Sequence, residues 1–170
     1  MQIRQIQVAN NVLEDRLHIR IATQDNEEIG VFITRRFLRE LWPYLMTILL
    51  DRFSAAPTTM ADEKSQAKGS APSFDQAFDN ENPLFPLGEN PLLASEVNLE
   101  MSGTNAVKIT FREGQERNIS LSLDSDLMHA FCSMLRSSSD KAGWDLQLDY
   151  AKQRPAAAFS IPSTSRGILH

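Results

Sequence analysis

Residues 16–45, RLHIRIATQDNEEIGVFITRRFLRELWPYL, decide how the chain folds. Apolar residues alternate with polar ones in two short runs and then recur at three- and four-residue spacing. The two runs are separated by Gln24-Asp25-Asn26, residue types that tolerate tight turns. The stretch therefore predicts two β-strands joined by a turn and followed by a helix that Thr34 caps.

The same alternation occurs on both sides of this stretch. It predicts a strand over 2–8, before the strands at 16–23 and 28–33 and a helix to about Phe53. Beyond residue 95 it predicts three more strands, then a helix capped by Asp124 or Ser125 that ends near Ser137. The spacing of Trp144, Leu146, Leu148 and Tyr150 predicts a final strand.

The two halves match without a gap at an offset of 90 residues. Turn length, cap position and helix phase all agree, which is harder to obtain by chance than alternation alone. The sequence therefore predicts an internal repeat. The matched positions are Leu17, Ile19 and Ile21 with Val107, Ile109 and Phe111; Ile29, Val31 and Ile33 with Ile119, Leu121 and Leu123; Thr34 with Asp124; and Phe37, Leu38, Leu41 and Leu45 with Leu127, Met128, Phe131 and Leu135.

The predicted fold class is α+β. A single three-stranded unit with one helix is marginal alone, so we expect two strand-strand-strand-helix units to pack as one compact antiparallel-sheet domain. The predicted boundaries are a first unit over 1–53, an insert over 54–95, a second unit with the final strand over 96–150, and a mobile tail over 151–170. Two small tethered domains are the alternative.

The insert differs in composition from both units. It contains five prolines and no sustained periodicity, and six acidic residues against two lysines give it most of the net charge of −5. This composition is typical of a flexible segment. Its apolar residues could dock on a partner or fold back over the apolar first helix, and we expect the second. They are Phe74, Phe78, Leu84, Phe85 and Leu87.

Composition favours self-association or another protein as the partner. An apolar fraction of 42% and a charged fraction of 23% are those of a soluble globular protein, and we expect a cytoplasmic location. The negative net charge makes broad nucleic-acid or membrane binding less favourable. The first residues alternate, so we expect no secretory signal.

The sequence carries no motif for enzyme chemistry. One cysteine, Cys132, lies mid-helix among apolar residues, and the three histidines are dispersed. Phosphate-loop, dinucleotide-binding and nucleophile-elbow patterns are lacking. We therefore expect a non-enzymatic protein without catalytic residues, cofactor or metal, although a site assembled from scattered residues stays open.

The first helix has more apolar residues than one sheet face can cover. The excess must be buried by the other half, the insert or a second subunit, and aromatic residues and methionine are enriched at interfaces. We predict a homodimer or partner interface, with a purely intramolecular core as the alternative. The predicted interface residues are Leu41, Trp42, Tyr44, Leu45, Ile48, Leu49 and Phe53.

The start of the same helix is basic where acids would suit the helix dipole. Arg35 and Arg36 take the places of Ser125 and Asp126 in the other half, and two such residues require an anion nearby. Glu40 can supply it to Arg36, or a phosphate or nucleic-acid ligand can. The candidate anion-binding residues are Arg35, Arg36, Arg39, Arg16 and Arg20.

Two functions follow from these patterns. The leading hypothesis is a protein-interaction or assembly module that forms a homodimer through the first helix. The alternative is a module that binds an anion, either a phosphate or nucleic acid, through the arginine cluster.

Overall fold

The alternating runs form strands, and the runs at helical spacing form helices. In the computed structural model, which describes residues 1–53, 78 and 81–149, seven strands and two helices follow one another along the chain. They are β1 (Ile3–Asn11), β2 (Arg16–Thr23), β3 (Glu28–Thr34), α1 (Arg35–Arg52), β4 (Leu92–Leu93), β5 (Glu96–Ser102), β6 (Ala106–Glu113), β7 (Arg117–Asp124) and α2 (Ser125–Lys141).

The first sheet has the order β1-β2-β3-β4. The first three strands are antiparallel, whereas β4 pairs parallel with β3. Alternation assigns one face of β2 and β3 to the core, and its six aliphatic side chains are all buried. These are Leu17, Ile19, Ile21, Ile29, Val31 and Ile33.

The second sheet is an antiparallel meander with the order β5-β6-β7. Its core face carries Val107, Ile109, Phe111, Leu121 and Leu123, all fully buried. The polar face includes a hydrogen bond of 2.8 Å between the hydroxyl oxygens of Thr110 and Ser120. Each sheet therefore buries one face, as the alternation predicts.

Both helices begin at the predicted caps. The Thr34 hydroxyl oxygen accepts a hydrogen bond of 3.2 Å from the Phe37 amide, and the Asp124 carboxylate accepts one of 2.9 Å from the Leu127 amide. Helix α1 continues without interruption through Pro43. Proline has no backbone N–H, so the helix loses one hydrogen bond at Pro43. Burial of the apolar side chains on either side of Pro43 offsets the free energy of that loss.

One hydrophobic core contains residues of both sheets and both helices. The rings of Phe37 on α1 and Phe111 on β6 lie 6.4 Å apart. In the opposite direction, the Ser138 hydroxyl on α2 donates a hydrogen bond of 3.0 Å to the carbonyl of Val8 on β1. Each helix thus contacts the sheet of the other half.

The predicted α+β class is confirmed, and the described elements form two sheets and two helices. The internal repeat and the domain boundaries stay predictions. One difference is the parallel pairing of β4 in a sheet predicted to be antiparallel. It arises because residues 81–95, assigned to the insert, return along the exposed edge of β3.

The predicted final strand is wrong over its described residues. Residues 144–149 form no strand, because Asp145 and Gln147 have positive φ values of 46° and 49°, outside the β region. The alternation reflects burial instead, since Trp144 and Leu148 both point into the core. Tyr150, the tail over 151–170 and insert residues 54–77, 79 and 80 lie outside the described residues.

Residues 81–95, named here the edge segment, dock on the first sheet. The Glu28 amide donates to the Leu84 carbonyl at 2.8 Å, and the Leu84 amide donates to the Asn26 carbonyl at 2.9 Å. At the other end, the Ala94 amide donates to the Phe32 carbonyl at 2.9 Å. This part of the insert therefore folds back on the chain, along the edge of the first sheet.

Candidate interaction surface

Most of the side chains predicted to form an interface on α1 are buried inside the chain. Five of the seven are at most 6% exposed, and the other two, Tyr44 and Ile48, are half-buried. Among the large apolar side chains that the structure describes on α1, Leu50 is the exposed one, at 54%. The five buried residues are Leu41, Trp42, Leu45, Leu49 and Phe53. The apolar excess of α1 thus has an intramolecular explanation.

The arginines predicted to bind an anion have different surroundings. Arg35, Arg36 and Arg39 are exposed at the start of α1. The Arg36 guanidinium pairs with the Glu40 carboxylate at 2.9 Å, and this hydrogen bond and charge raise the pKa of Arg36. Among the described residues, Arg35 and Arg39 have no ion pair.

The two arginines on β2 lie at different distances from this helix start. Arg16 pairs in register with Thr34, directly before α1, and its guanidinium lies 3.9 Å from Glu14. Arg20 pairs with Gly30, four residues farther along the strand or about 13 Å. Its guanidinium lies 2.7 Å from Glu28. The register therefore groups Arg16 with Arg35 and separates Arg20 from them.

The turn between β1 and β2 exposes two apolar side chains side by side. Leu13 is 97% exposed and Val12 is 80% exposed, the two largest values among the large apolar residues described. A four-residue hairpin turn is usually built from polar residues and glycine. The described part of the chain thus leaves two aliphatic side chains largely exposed to solvent.

This turn has a defined conformation. The Glu14 amide donates to the Asn11 side-chain oxygen at 3.3 Å, and the Asn11 amide group donates to the Glu14 carboxylate at 3.3 Å. Asp15 has a positive φ of 50°, and its carboxylate accepts a hydrogen bond of 2.6 Å from the Trp144 indole N–H. Because the turn is anchored at both ends, little conformational entropy is lost when it binds.

The turn lies at the same end of the first sheet as the start of α1. Asn11 pairs with Arg16, and Arg16 pairs with Thr34, so the three strand ends lie side by side. Two strand spacings, about 10 Å, separate Asn11 from Thr34. Exposed apolar, acidic and basic groups therefore occur together here. We name Val12, Leu13, Glu14 and Arg35 the tip surface.

The sequence analysis missed the apolar part of this surface. It ended the first strand at residue 8, whereas β1 continues to Asn11 and the turn follows it. The available signal was the adjacent pair Val12-Leu13 between two polar pairs, since neighbouring residues of a strand point to opposite faces. Val12 and Leu13 therefore could not both lie on the core face of a strand.

Two of the remaining candidate groups, Cys132 and His129, lie on α2. Cys132 is buried, and burial raises the pKa of its thiol to about 12, so the reactive thiolate is suppressed. His129 is exposed, with Nδ1 2.8 Å from the Ser125 carbonyl oxygen. Within residues 1–53, 78 and 81–149, no group of three histidine, cysteine or acidic residues could hold a metal ion.

Comparisons with known proteins assign no family. The chain matches no protein-family model, no curated protein and no solved structure. In the described part of the chain, none of the helices combines the length and the apolar character needed to cross a bilayer. A functional interpretation therefore depends on the chain's own surface.

Proposed function

We propose that the protein is a non-enzymatic, cytoplasmic assembly module that forms a homodimer through the tip surface. The observation that carries the proposal is the exposure of Leu13 and Val12, 97% and 80%, on a turn held by hydrogen bonds at both ends. Burying an aliphatic side chain of this size is favourable by about 1.5–3 kcal/mol. A turn that is already ordered keeps more of that gain as binding free energy.

The charges of the tip surface support a second copy as the partner. Glu14 is 49% exposed on the turn, and Arg35 is exposed at the adjacent start of α1. In a two-fold dimer, each contact between two different residues occurs twice. Glu14 of each copy would then face Arg35 of the other, and the apolar pairs would meet near the axis. The surface is thus self-complementary in charge as well as apolar.

This proposal moves the interface from the face of α1 to its start. The predicted helix interface would require Leu41, Trp42, Leu45, Leu49 and Phe53 to leave a core in which each is at most 6% exposed. Uncovering buried side chains of this size costs several kcal/mol, more than a small interface returns. The tip surface requires no such opening.

Anion binding by the arginine cluster has weaker support. Arg36 and Arg20 are already paired with the carboxylates of Glu40 and Glu28, at 2.9 and 2.7 Å. The unbalanced charge at the start of α1 is then mainly that of Arg35 and Arg39. In the proposed dimer, the carboxylate of Glu14 from a second copy supplies the anion for Arg35.

We also propose that the two units arose as an internal repeat. The bounds of β2 (Arg16–Thr23) and β6 (Ala106–Glu113) differ by 90 residues at both ends, as do the caps Thr34 and Asp124. The registers agree, because Leu17 pairs with Ile33 and Val107 pairs with Leu123. The tip surface belongs to the first unit alone, since the matching Ser125 replaces Arg35.

Sedimentation velocity over a wide concentration range tests the proposed dimer. We expect the native chain to shift from monomer to dimer as its concentration rises. The double substitution Val12→Ser with Leu13→Ser should leave a monomer at every concentration, without loss of stability, because both side chains are exposed. Leu84→Ser is the matched control, since Leu84 is 65% exposed but lies on the edge segment.

Two outcomes would contradict the proposal. A native chain that stays monomeric at the highest concentration would exclude the dimer. A dimer that persists in the Val12→Ser, Leu13→Ser variant would exclude the tip surface. Leu50→Ser then distinguishes the helix, because dissociation by that substitution alone would restore α1 as the interface.

A further inference from the structure

The outer face of the first sheet contains a histidine with an unsatisfied ring nitrogen. His18 lies on β2 between Arg16 and Arg20, and its ring centroid is 4.7 Å from that of Phe32 on β3. Nε2 of His18 is buried and has no hydrogen-bond partner among the residues that the structure describes. Most buried polar atoms are satisfied, so an exception of this kind requires an explanation.

The ring of His18 and the edge segment meet at Gly30. A Cβ atom added to Gly30 would lie 2.8 Å from Nε2 of His18 and 3.0 Å from Pro91. The imidazole and the proline ring therefore both lie over the bare backbone of Gly30. Pro91 directly precedes β4, whose residues Leu92 and Leu93 pair with Val31 and Phe32. Nε2 thus lies where the edge segment joins the sheet.

Protonation of this imidazole would add a buried N–H donor for which the described part of the chain offers no acceptor. The imidazolium ion has an N–H at both nitrogens, so Nε2 would have to donate a hydrogen bond. It faces Gly30 and the apolar ring of Pro91. An unsatisfied buried donor that is also charged is costly, and the cost falls on the contact between the edge segment and the sheet.

The neighbouring charges do not remove this cost. Burial first, and then the charge of Arg20, lower the pKa of His18, whereas Glu28 raises it. Glu28 already bonds Arg20 at 2.7 Å. Arg16 on the same strand adds positive charge, and β1 places the uncharged Ala9 opposite His18. On the edge segment, the acidic Glu81 and Glu89 are exposed to solvent.

We propose that His18 is a pH-sensitive latch whose protonation releases the edge segment from the first sheet. Release uncovers the backbone edge of β3, a surface on which another extended segment can pair. The latch goes beyond the proposed dimer and does not depend on it, since the tip surface and the edge segment have no residue in common.

The direction of the pH effect follows from proton linkage. The ordinary pKa of a histidine is 6.5, and the docked state holds the pKa of His18 below it. The released state therefore binds more protons, so the contribution of His18 to docking is fully present above about pH 6.5 and is lost as the pH falls through the pKa of His18 in the docked state. Between the pKa of His18 in the docked state and its pKa in the released state, the equilibrium constant for docking should fall about tenfold per pH unit.

Amide hydrogen exchange by NMR on the full chain measures this release. The amides of Leu84 and Ala94 donate to Asn26 and Phe32 across the contact, so they report docking. Their protection factors, corrected for intrinsic exchange, should fall between about pH 7.5 and about pH 5. The amides of β6 should keep their protection factors over the same pH range. In His18→Gln, which does not titrate, the protection of Leu84 and Ala94 should be the same at both pH values.

The native chain supplies a second test if His18→Gln fails to fold. The ring proton shifts of His18 give its titration midpoint directly. We expect that midpoint below 6.5 and a loss of Ala94 protection in the same pH range. The proposal is overturned if Ala94 protection is unchanged when His18 is protonated, or if it falls equally in His18→Gln.

Discussion

The indole N–H of Trp144 donates a hydrogen bond of 2.6 Å to the carboxylate of Asp15, across 129 positions of the sequence. Trp144 follows the end of α2 and is itself buried, whereas Asp15 belongs to the exposed turn between β1 and β2. A residue from the second half of the chain thus fixes the part of the first half that carries Val12 and Leu13. The bond couples the core to the tip surface.

Trp144→Phe tests this coupling, because it removes the N–H and keeps most of the apolar volume. Asp15 can be hydrated where it is exposed, so we expect a loss of about 1 kcal/mol in the free energy of unfolding. The freed turn should also weaken the dimer. Urea unfolding and sedimentation velocity measure the two effects. Asp15→Asn is the control: it retains an acceptor for the indole N–H and should lose less unfolding free energy. An unchanged unfolding midpoint in Trp144→Phe would contradict the coupling.

Leu45 and Leu50 provide a matched pair on α1. Leu45 is fully buried and Leu50 is 54% exposed. Leu45→Ala should cost about 2–5 kcal/mol of unfolding free energy at any protein concentration, because its contacts are intramolecular. Leu50→Ala should stay within about 0.5 kcal/mol of the native value. Chemical unfolding at two protein concentrations measures both, and a concentration-dependent cost for Leu45→Ala would indicate an intermolecular core.

Arg117 on β7 holds the edge segment from the second sheet. Its guanidinium donates to the carbonyls of Leu87 and Asn90 at 3.1 and 2.6 Å and pairs with Glu113 at 2.7 Å. Arg117→Ala should destabilise the chain by about 1–2 kcal/mol, since it frees two carbonyls that partly reach solvent. The same substitution should accelerate amide hydrogen exchange at Leu84 and Ala94, because it loosens the edge segment.

The neighbouring arginine is the control for that substitution. Arg112 on β6 is exposed, so Arg112→Ala should change neither stability nor exchange. Arg117→Lys should be intermediate, because an ammonium group cannot reach both carbonyls with the geometry of a guanidinium. Equal effects of Arg117→Ala and Arg112→Ala would show that the clamp does not contribute.

Cys132 should resist thiol reagents in the folded protein. Burial raises the pKa of its thiol to about 12, so at pH 8 roughly one molecule in ten thousand carries the thiolate. Labelling by a chromogenic disulfide at that pH should be limited by unfolding and should become complete in denaturant. Rapid labelling of the native chain would contradict the burial of this thiol.

The sequence was most informative where one physical rule decided the structure. Alternation identified the core faces of β2, β3, β6 and β7, because each of these strands buries one face. Thr34 was identified as a cap, and Asp124 as one of two candidates with Ser125, because few residue types accept hydrogen bonds from the first helical amides. These features are local, so the residues themselves determine them.

The errors occurred where distant contacts decide. The alternation of Trp144, Leu146 and Leu148 reflects burial against the first half, and not strand pairing. Leu92 and Leu93 form a strand only because β3 offers them an edge. The predicted interface on α1 stays a prediction, but the contact of Phe37 with Phe111 of the other half was likewise not visible in the sequence.

Charge-swap mixing measured by sedimentation velocity tests the proposed dimer most directly. Glu14→Arg and Arg35→Glu should each be monomeric when alone, because each places like charges opposite one another in a two-fold dimer. An equimolar mixture of the two should form a heterodimer, since both contacts then pair opposite charges: the two substituted residues pair in one contact, and the native Arg35 and Glu14 pair in the other. Restored association in the mixture is the predicted result. A native dimer that neither substitution weakens would contradict the tip surface as the interface.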